Sequence, residues 1–305
     1  MRKIILKLIA VAIFSLLLSI SGYVSYYFLF ASNTHLMTYH DKTERLKSID
    51  CPKAVFIGGS GTHFGLSAEE FEKQTGIKSV NMGLHASISM KTYLDLIETS
   101  LKDGDYLFIA PEYDYYCTPW VKTDSQNVEF ALIYSNNIKG FELSSINAIP
   151  NTLYVGWSKW ADNFKQMISL KMTGHSTEAY SRYDSNEYGD FVNYKTQYYL
   201  SSSYSVLKTI DQESIDNIVK RIRSFENRGV RVYLVFPPYA DFAFAKNEDV
   251  IMNIYSILQA EDVNVLFAPN YSIATEENLY DTVYHVNKKG KQEYTQLVID
   301  SFNSY

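Results

Sequence analysis

The sequence predicts a three-layer α/β/α domain built on a parallel sheet, with an inserted cap region and an N-terminal transmembrane helix. Three observations lead there. A long apolar run opens the chain. Short apolar runs ending in Gly or Pro then alternate with segments of helical period over short connections, as in a parallel sheet covered on both faces. From about Tyr115 to Leu207 the alternation stops in a stretch rich in Tyr, Ser and Asn, which reads as an insertion.

At the N-terminus Arg2, Lys3 and Lys7 precede an uncharged stretch from Leu8 to Tyr39, apolar to about Ala31. That length spans about 30 Å of hydrocarbon as a helix. Positive residues before the span place the N-terminus in the cytoplasm, with Tyr23, Tyr26 and Tyr27 at the outer interface and the bulk of the chain extracytoplasmic. A cleaved signal peptide is the alternative, with Ser19 and Ser21 at cleavage-like spacing before Gly22. The expected organisation is an anchor over 1–31, a polar stalk over 32–50, and one domain over 51–305 carrying the insertion at about 115–207.

Within that domain, Ala54–Ile57 ends at Gly58-Gly59 as a buried strand running into a tight turn. Ser67, with Glu70 three residues on, forms a capping-box pattern for a helix to about Thr75. Ile77–Met82 is the second strand, 89–101 a helix and Asp105–Ala110 the third strand. The insertion is expected to be partly helical over Leu153–Met172. An amphipathic helix over 212–227 ends at Gly229 and leads into the strand Val230–Phe236, stopped by Pro237-Pro238. A helix over 248–260, a strand over 263–267 and a terminal helix over 288–302 complete the series.

Composition narrows the function. The 305 residues are 46% hydrophobic and 20% charged, enough for an ordinary core. A net charge of −6, with no basic run beyond Lys288, Lys289 and Lys291, argues against nucleic acid as a partner. Cys51 and Cys117 have no paired metal-ligand spacing, and as they fall at opposite ends of parallel strands they are expected to stay unbridged. The 26 Tyr and 17 Phe suggest broad amphipathic surfaces, either a ligand groove or an aromatic core.

Three features fall where strand ends meet, the position at which open α/β sheets bind ligands. Gly58-Gly59-Ser60-Gly61-Thr62-His63 follows the first strand, and its glycines let the hydroxyl and nearby N–H groups face a ligand. It lacks the Lys of a phosphate loop, the last Gly of a dinucleotide fingerprint and the last Gly of G-x-S-x-G. Asn81-Met82-Gly83-Leu84-His85 follows the second strand, where Gly83 offers a backbone donor. Tyr280-Asp281-Thr282-Val283-Tyr284-His285-Val286-Asn287 precedes the last helix, and an Asp near a His can orient it as a base toward a serine. Taken singly, each feature also has a purely structural reading as a turn or a packed side chain.

Together these residues resemble the SGNH superfamily of GDSL-like esterases and acyltransferases, over roughly 51–110 and 229–305. The resemblance implies a flavodoxin-like sheet, Ser60 as nucleophile, His285 as base, Asp281 as the orienting acid and an oxyanion hole from the N–H groups of Ser60 and Gly83. It implies no cofactor and no metal. Pro111-Glu112-Tyr113 and the C-terminal Tyr-Asp-x-x-x-His-x-Asn-x-x-Gly are most similar to the membrane-anchored extracytoplasmic branch, that of the D-alanyl-lipoteichoic-acid biosynthesis protein and the alginate O-acetylation proteins. The chain departs from the family pattern twice: Thr282 stands three before His285, where the acid usually is, and Glu112 stands where an oxyanion Asn is usual.

The implied function is an extracytoplasmic O-acyltransferase that modifies a cell-surface polysaccharide or teichoic-acid-like polymer through acyl-Ser60. A membrane-bound O-acyltransferase is the expected source of the acyl group. His63, Asn81, His85, Glu112 and Tyr113 are candidate substrate-binding residues, and Tyr115, Tyr116, Trp120, Tyr194, Tyr198 and Tyr199 of the insertion are candidates to stack on sugars or to form a lid-to-core interface. A carbohydrate esterase of the same fold and a non-catalytic glycan-binding scaffold are the alternatives.

Overall fold

The structure is a computed structural model and describes residues 2–29, 34–50, 52–122, 125–131, 180–194 and 206–305, with scattered positions between 132 and 205. Its centre is a four-stranded parallel sheet of β1 (Lys53–Gly58), β2 (Lys78–Asn81), β3 (Tyr106–Ala110) and β4 (Arg231–Leu234), in the order β2-β1-β3-β4. Val55 faces Val80 on one side and Leu107 on the other, and Leu107 faces Val232. Every residue of β1 is buried, which explains why its sequence is a continuous apolar run rather than an alternating one. The expected fifth strand is reduced to one parallel bridge between Val265 and Leu234. Its place beyond β4 completes the 2-1-3-4-5 order of flavodoxin-like sheets.

Helices cover both faces. One layer holds α3 (Ser60–Gly65), α4 (Ala68–Thr75) and the terminal α9 (Lys288–Asn303), and the other holds α5 (Met90–Ile97) and α7 (Gln212–Glu226). Phe56 stacks on Phe108 at 4.6 Å, and Phe71 and Phe302 meet Phe108 edge-on at 5.3 and 5.6 Å, so aromatic rings fill the interface beneath α4 and α9. The Ser67 hydroxyl accepts from Glu70 N–H, one half of the expected capping box, while Ser67 N–H donates to Thr295 Oγ1 at 3.0 Å instead of to Glu70, and Gly76 ends α4 at φ 73°. The helix expected from 248 begins earlier: α8 spans Asp241–Ala260, directly after the two-residue strand Tyr239–Ala240 pairs with Ile273–Ala274.

At the N-terminus α1 (Arg2–Leu29) has a 21-residue stretch of mean hydropathy 2.5, long and apolar enough to cross a membrane. A signal sequence has the same composition. The side chains of Tyr23, Tyr26 and Tyr27 lie outside the described residues, as do Cys51 and most of the helix expected at 153–172. Cys117 is a free thiol, pushed up to about 11 by burial.

The segment expected to be a polar stalk is not one. Thr38–Ser48 forms α2, which packs on the β2 edge through buried Tyr39, Lys42 and Leu46. Their i, i+3, i+7 spacing makes one helical face, which the high overall polarity of 38–48 conceals. Arg45 fixes the register: Nε donates to Ser79 O at 2.8 Å, and the guanidinium pairs with Glu72 and covers the Tyr188 ring. The described elements of the insertion are a 3₁₀ turn at its start (Tyr113–Tyr116), α6 (Ser125–Glu129) and a 3₁₀ turn at Arg182–Asp184.

Candidate active site

β1 delivers Ser60 to the C-terminal edge of the sheet. The chain turns at Gly58-Gly59, and Ser60 is the first residue of α3, where its N–H has no intrahelical acceptor. Glu112, just past β3, lies fully buried against this turn. Its Oε1 accepts from Gly61 N–H at 2.7 Å and from the Ser60 hydroxyl at 3.3 Å. A Cβ on Gly59 would sit 2.6 Å from that oxygen, so the turn needs glycine to wrap the carboxyl group. Burial pushes Glu112 above the ordinary carboxyl range, against the opposing effects of Gly61 N–H and of His285 across the site.

His285 arrives on a hairpin ahead of α9. Leu279 and Val286 form an antiparallel bridge, and Tyr280 N–H donates to His285 O at 2.7 Å. Inside this turn the Thr282 hydroxyl accepts from the N–H groups of Tyr284 and His285, at 3.3 and 3.2 Å. Thr282 thus braces the loop, and Asp281, one residue earlier, reaches His285 Nδ1 with Oδ1 at 2.7 Å. The four-residue spacing follows from this turn geometry. Tyr180 donates from its hydroxyl to the other Asp281 oxygen. Burial raises the Asp281 carboxyl, but the bond and charge of His285 and the Tyr180 bond outweigh it and hold it below its ordinary value. With Nδ1 on Asp281, the free ring nitrogen of His285 is Nε2, and the imidazole lies flat on Phe64 of α3. Tyr113 N–H donates to Tyr284 OH at 3.1 Å, so the hairpin is pinned to the same β3 end that carries Glu112.

The remaining predicted residues separate into two groups. Ser60 meets Glu112 just past the ends of β1 and β3, and Asp281 meets His285, whose ring stacks on Phe64 of the helix that Ser60 opens. His63, Asn81 and Tyr113 are instead fully buried and engaged by the protein itself. The His63 Nδ1 meets Lys42, Asn81 Nδ2 donates to the carbonyls of Thr62 and Leu66 at 3.0 Å, and Tyr113 stacks on Phe236. They offer no surface to a substrate, because His63 on α3, Asn81 at the end of β2 and Tyr113 after β3 are packed into the core. His85 belongs to its own turn, with Nδ1 bonded to the Ser87 hydroxyl and N–H at 2.7 and 3.1 Å. The expected oxyanion donor Gly83 turns inward: its N–H donates to Asn81 Oδ1 at 3.0 Å.

Of the insertion aromatics, Tyr115 and Tyr116 are core residues, Trp120 and Tyr194 are half-buried, and Tyr198 and Tyr199 lie outside the described residues. A cavity of about 600 Å³ lies between α4, α9 and residues 186–194, lined by Tyr194 and Lys288 among others; Ser60 is not part of it. Among the described residues no three metal-ligating side chains converge. Phe64, Tyr180 and Lys42 are the site neighbours that sequence motifs did not mark.

Two solved structures are similar in fold. One is a GDSL-like lipase from Bacteroides thetaiotaomicron VPI-5482, at 12% identity and a TM-score of 0.44, over 88% of this chain and 98% of that one. The other is a protein provisionally described as a platelet activating factor from Streptococcus pneumonia, at 12% identity and a TM-score of 0.39, over 87% of this chain and 90% of that one. No protein-family model and no curated protein matches the chain.

Proposed function

We propose that the chain is a serine-dependent O-acyltransferase that works outside the cytoplasm, held at the membrane by α1, and that its acceptor is a hydroxyl of a cell-surface polysaccharide or teichoic-acid-like polymer. One observation carries the chemistry: Asp281 holds His285 Nδ1 at 2.7 Å while the ring stacks on α3, the helix that begins at Ser60. A carboxylate on Nδ1 fixes the tautomer whose Nε2 takes a proton.

In this mechanism His285 Nε2 takes the Ser60 proton as Oγ bonds to the acyl carbon. The proton then passes to the leaving alkoxide as its bond to carbon breaks. An acceptor hydroxyl attacks the acyl-Ser60, loses its proton to His285, and Ser60 leaves with that proton restored. The Ser60 N–H faces the developing oxyanion, a donor typically worth about 3 kcal/mol. In its protonated form, which burial favours, Glu112 gives the second donor from its Oε2 hydroxyl, replacing the amide of the usual Asn. A membrane-bound partner supplies the acyl group from the bilayer side.

The test is a fluorophosphonate probe, which bonds covalently to an activated serine. Wild type is expected to be labelled at Ser60, and Ser60→Ala to give no adduct. Incubation with p-nitrophenyl acetate and a purified polymer then separates transfer from hydrolysis. Acetyl gained by the polymer supports transfer, whereas acetate released with none on the polymer makes the chain an esterase.

A further inference from the structure

A lysine lies fully buried beside the candidate site, and among the described residues no carboxylate is bonded to its ammonium group. Lys42 of α2 is 1% exposed, and its Nζ meets His63 Nδ1 at 2.9 Å and the carbonyl of Gly83. Its stem runs past Gly189, whose φ of 84° and lack of a side chain leave room for it. Asp190 attracts its charge and Lys291 opposes it. Asp190 is itself occupied in capping α4, accepting from Ser67 Oγ, Ala68 N–H and Glu69 N–H at 3.1, 2.8 and 3.0 Å. An amine buried in this way is destabilising unless its hydrogen bonds are needed where it sits. A methionine fills the same volume at no such cost.

We propose that Lys42 is a positioning residue that clamps the Gly83 turn onto the nucleophile helix. The two acceptors of Nζ lie on different elements. Gly83 follows β2, and His63 is three residues beyond Ser60 on α3. Asn81 makes the complementary link, with its Oδ1 on Gly83 N–H and its Nδ2 on the carbonyls of Thr62 and Leu66. The Gly83 peptide is thereby held at both ends, and each holder also grips α3. A Cβ on Gly83 would fall 2.7 Å from His63 N, so the two elements touch with no slack. With Lys42 as the donor to Nδ1, the arrangement this clamp requires, the proton of the neutral His63 resides on Nε2, which has no partner among the described side chains. His63 therefore acts in this clamp as an acceptor. The residue that closes it comes from the segment just after α1, so the anchor-proximal chain is a working part of the site.

The inference rests on Ser60 as nucleophile only for its kinetic readout. The test uses the full chain in detergent, with hydrogen–deuterium exchange over residues 60–66 and 82–88 and the rate of fluorophosphonate labelling. Lys42→Met is expected to fold, to exchange several-fold faster in both segments, and to label at least about 10-fold more slowly. His63→Phe, which removes the acceptor, is expected to match it, while His63→Asn keeps an acceptor oxygen and is expected to remain near wild type. The Lys42→Met/His63→Phe double variant is expected to be no worse than either single one, the non-additivity of groups that act as a pair. Unchanged exchange in Lys42→Met, or equal defects in His63→Asn and His63→Phe, would overturn the clamp. Should Lys42→Met fail to fold, the two His63 variants decide. Wild type that does not label refutes the serine mechanism alone, and the exchange arms still judge the clamp.

Discussion

The imidazole of His285 lies on the ring of Phe64, with centroids 4.0 Å apart and planes 11° from parallel. Phe64 is four residues beyond Ser60 in the same helix, so the proposed base takes its orientation from the element that carries the proposed nucleophile. Phe64→Leu keeps an apolar side chain and removes the flat surface. An aromatic contact of this kind is worth about 0.5–1.5 kcal/mol, so fluorophosphonate labelling of Ser60 is expected to slow by about 2- to 10-fold with the fold retained.

Asp281→Asn leaves a side chain of the same shape but presents an amide to His285, which favours the wrong ring tautomer. Labelling is expected to fall by about 10³- to 10⁴-fold. Circular dichroism should show unchanged secondary structure, and a loss of less than 10-fold would remove Asp281 from the mechanism.

Tyr180→Phe takes one hydrogen bond from the ionised Asp281 carboxylate. Asp281 is held below its ordinary value, so its contribution is complete above the ordinary carboxylate range and fades as pH falls through the lowered value. Without Tyr180 that value rises. The acid limb of both labelling rate and thermal stability should therefore begin at higher pH, with a stability loss near neutrality of about 1 kcal/mol.

Glu112→Gln tests the opposite sign. Burial raises Glu112, so its neutral form suits the fold and ionisation at higher pH is destabilising. Gln mimics the neutral acid, keeps an acceptor for Gly61 N–H and carries an amide donor. Melting temperatures across pH 5 to 8 should show Glu112→Gln gaining on wild type as pH rises. Retained labelling is expected if Glu112 serves as a neutral donor, and its loss would assign the role to the carboxylate.

Gly83→Ala places a methyl group 2.7 Å from both His63 N and Thr62 Cβ. Neither the backbone atom nor the β-branched side chain has a free direction in which to move. A loss of about 1–3 kcal/mol is expected by denaturant unfolding.

Much of this was legible in the sequence, for identifiable reasons. Ala54–Ile57 stands out as a strand because burial on both faces makes it uniformly apolar, and the glycines after it mark the turn that α3 then follows. The helix itself is hidden, since Gly61 and Gly65 are poor helix formers. Ser60, Asp281 and His285 carry motif signals, and the hairpin braced by Thr282 explains the irregular spacing. Gly83 shows what spacing omits: it places a glycine beside the site but says nothing of where its N–H points, and Asn81 turns it inward. Tyr180 sits in a stretch without periodicity, and Lys42 belongs to a residue type that almost never marks a core position. Both are set by tertiary contacts that no local pattern encodes.

The packing of α2 has a consequence for reach. Between Leu29 and Thr38 lie residues 30–37, and His35–Met37 is already wound into a 3₁₀ turn. Eight residues, fully extended, span at most about 29 Å, and the wound turn shortens this further. With α1 retained in a bilayer, the domain is moored close to the lipid surface instead of swinging on a long tether. On the proposed function, a polymer growing outward from that surface would pass the site early, while its chain is still near the headgroups, and would then move beyond range. Acyl groups added there would follow the order of polymer synthesis, and lengthening the mooring by inserted Gly-Ser repeats after Leu29 would spread modification toward older, more distal units.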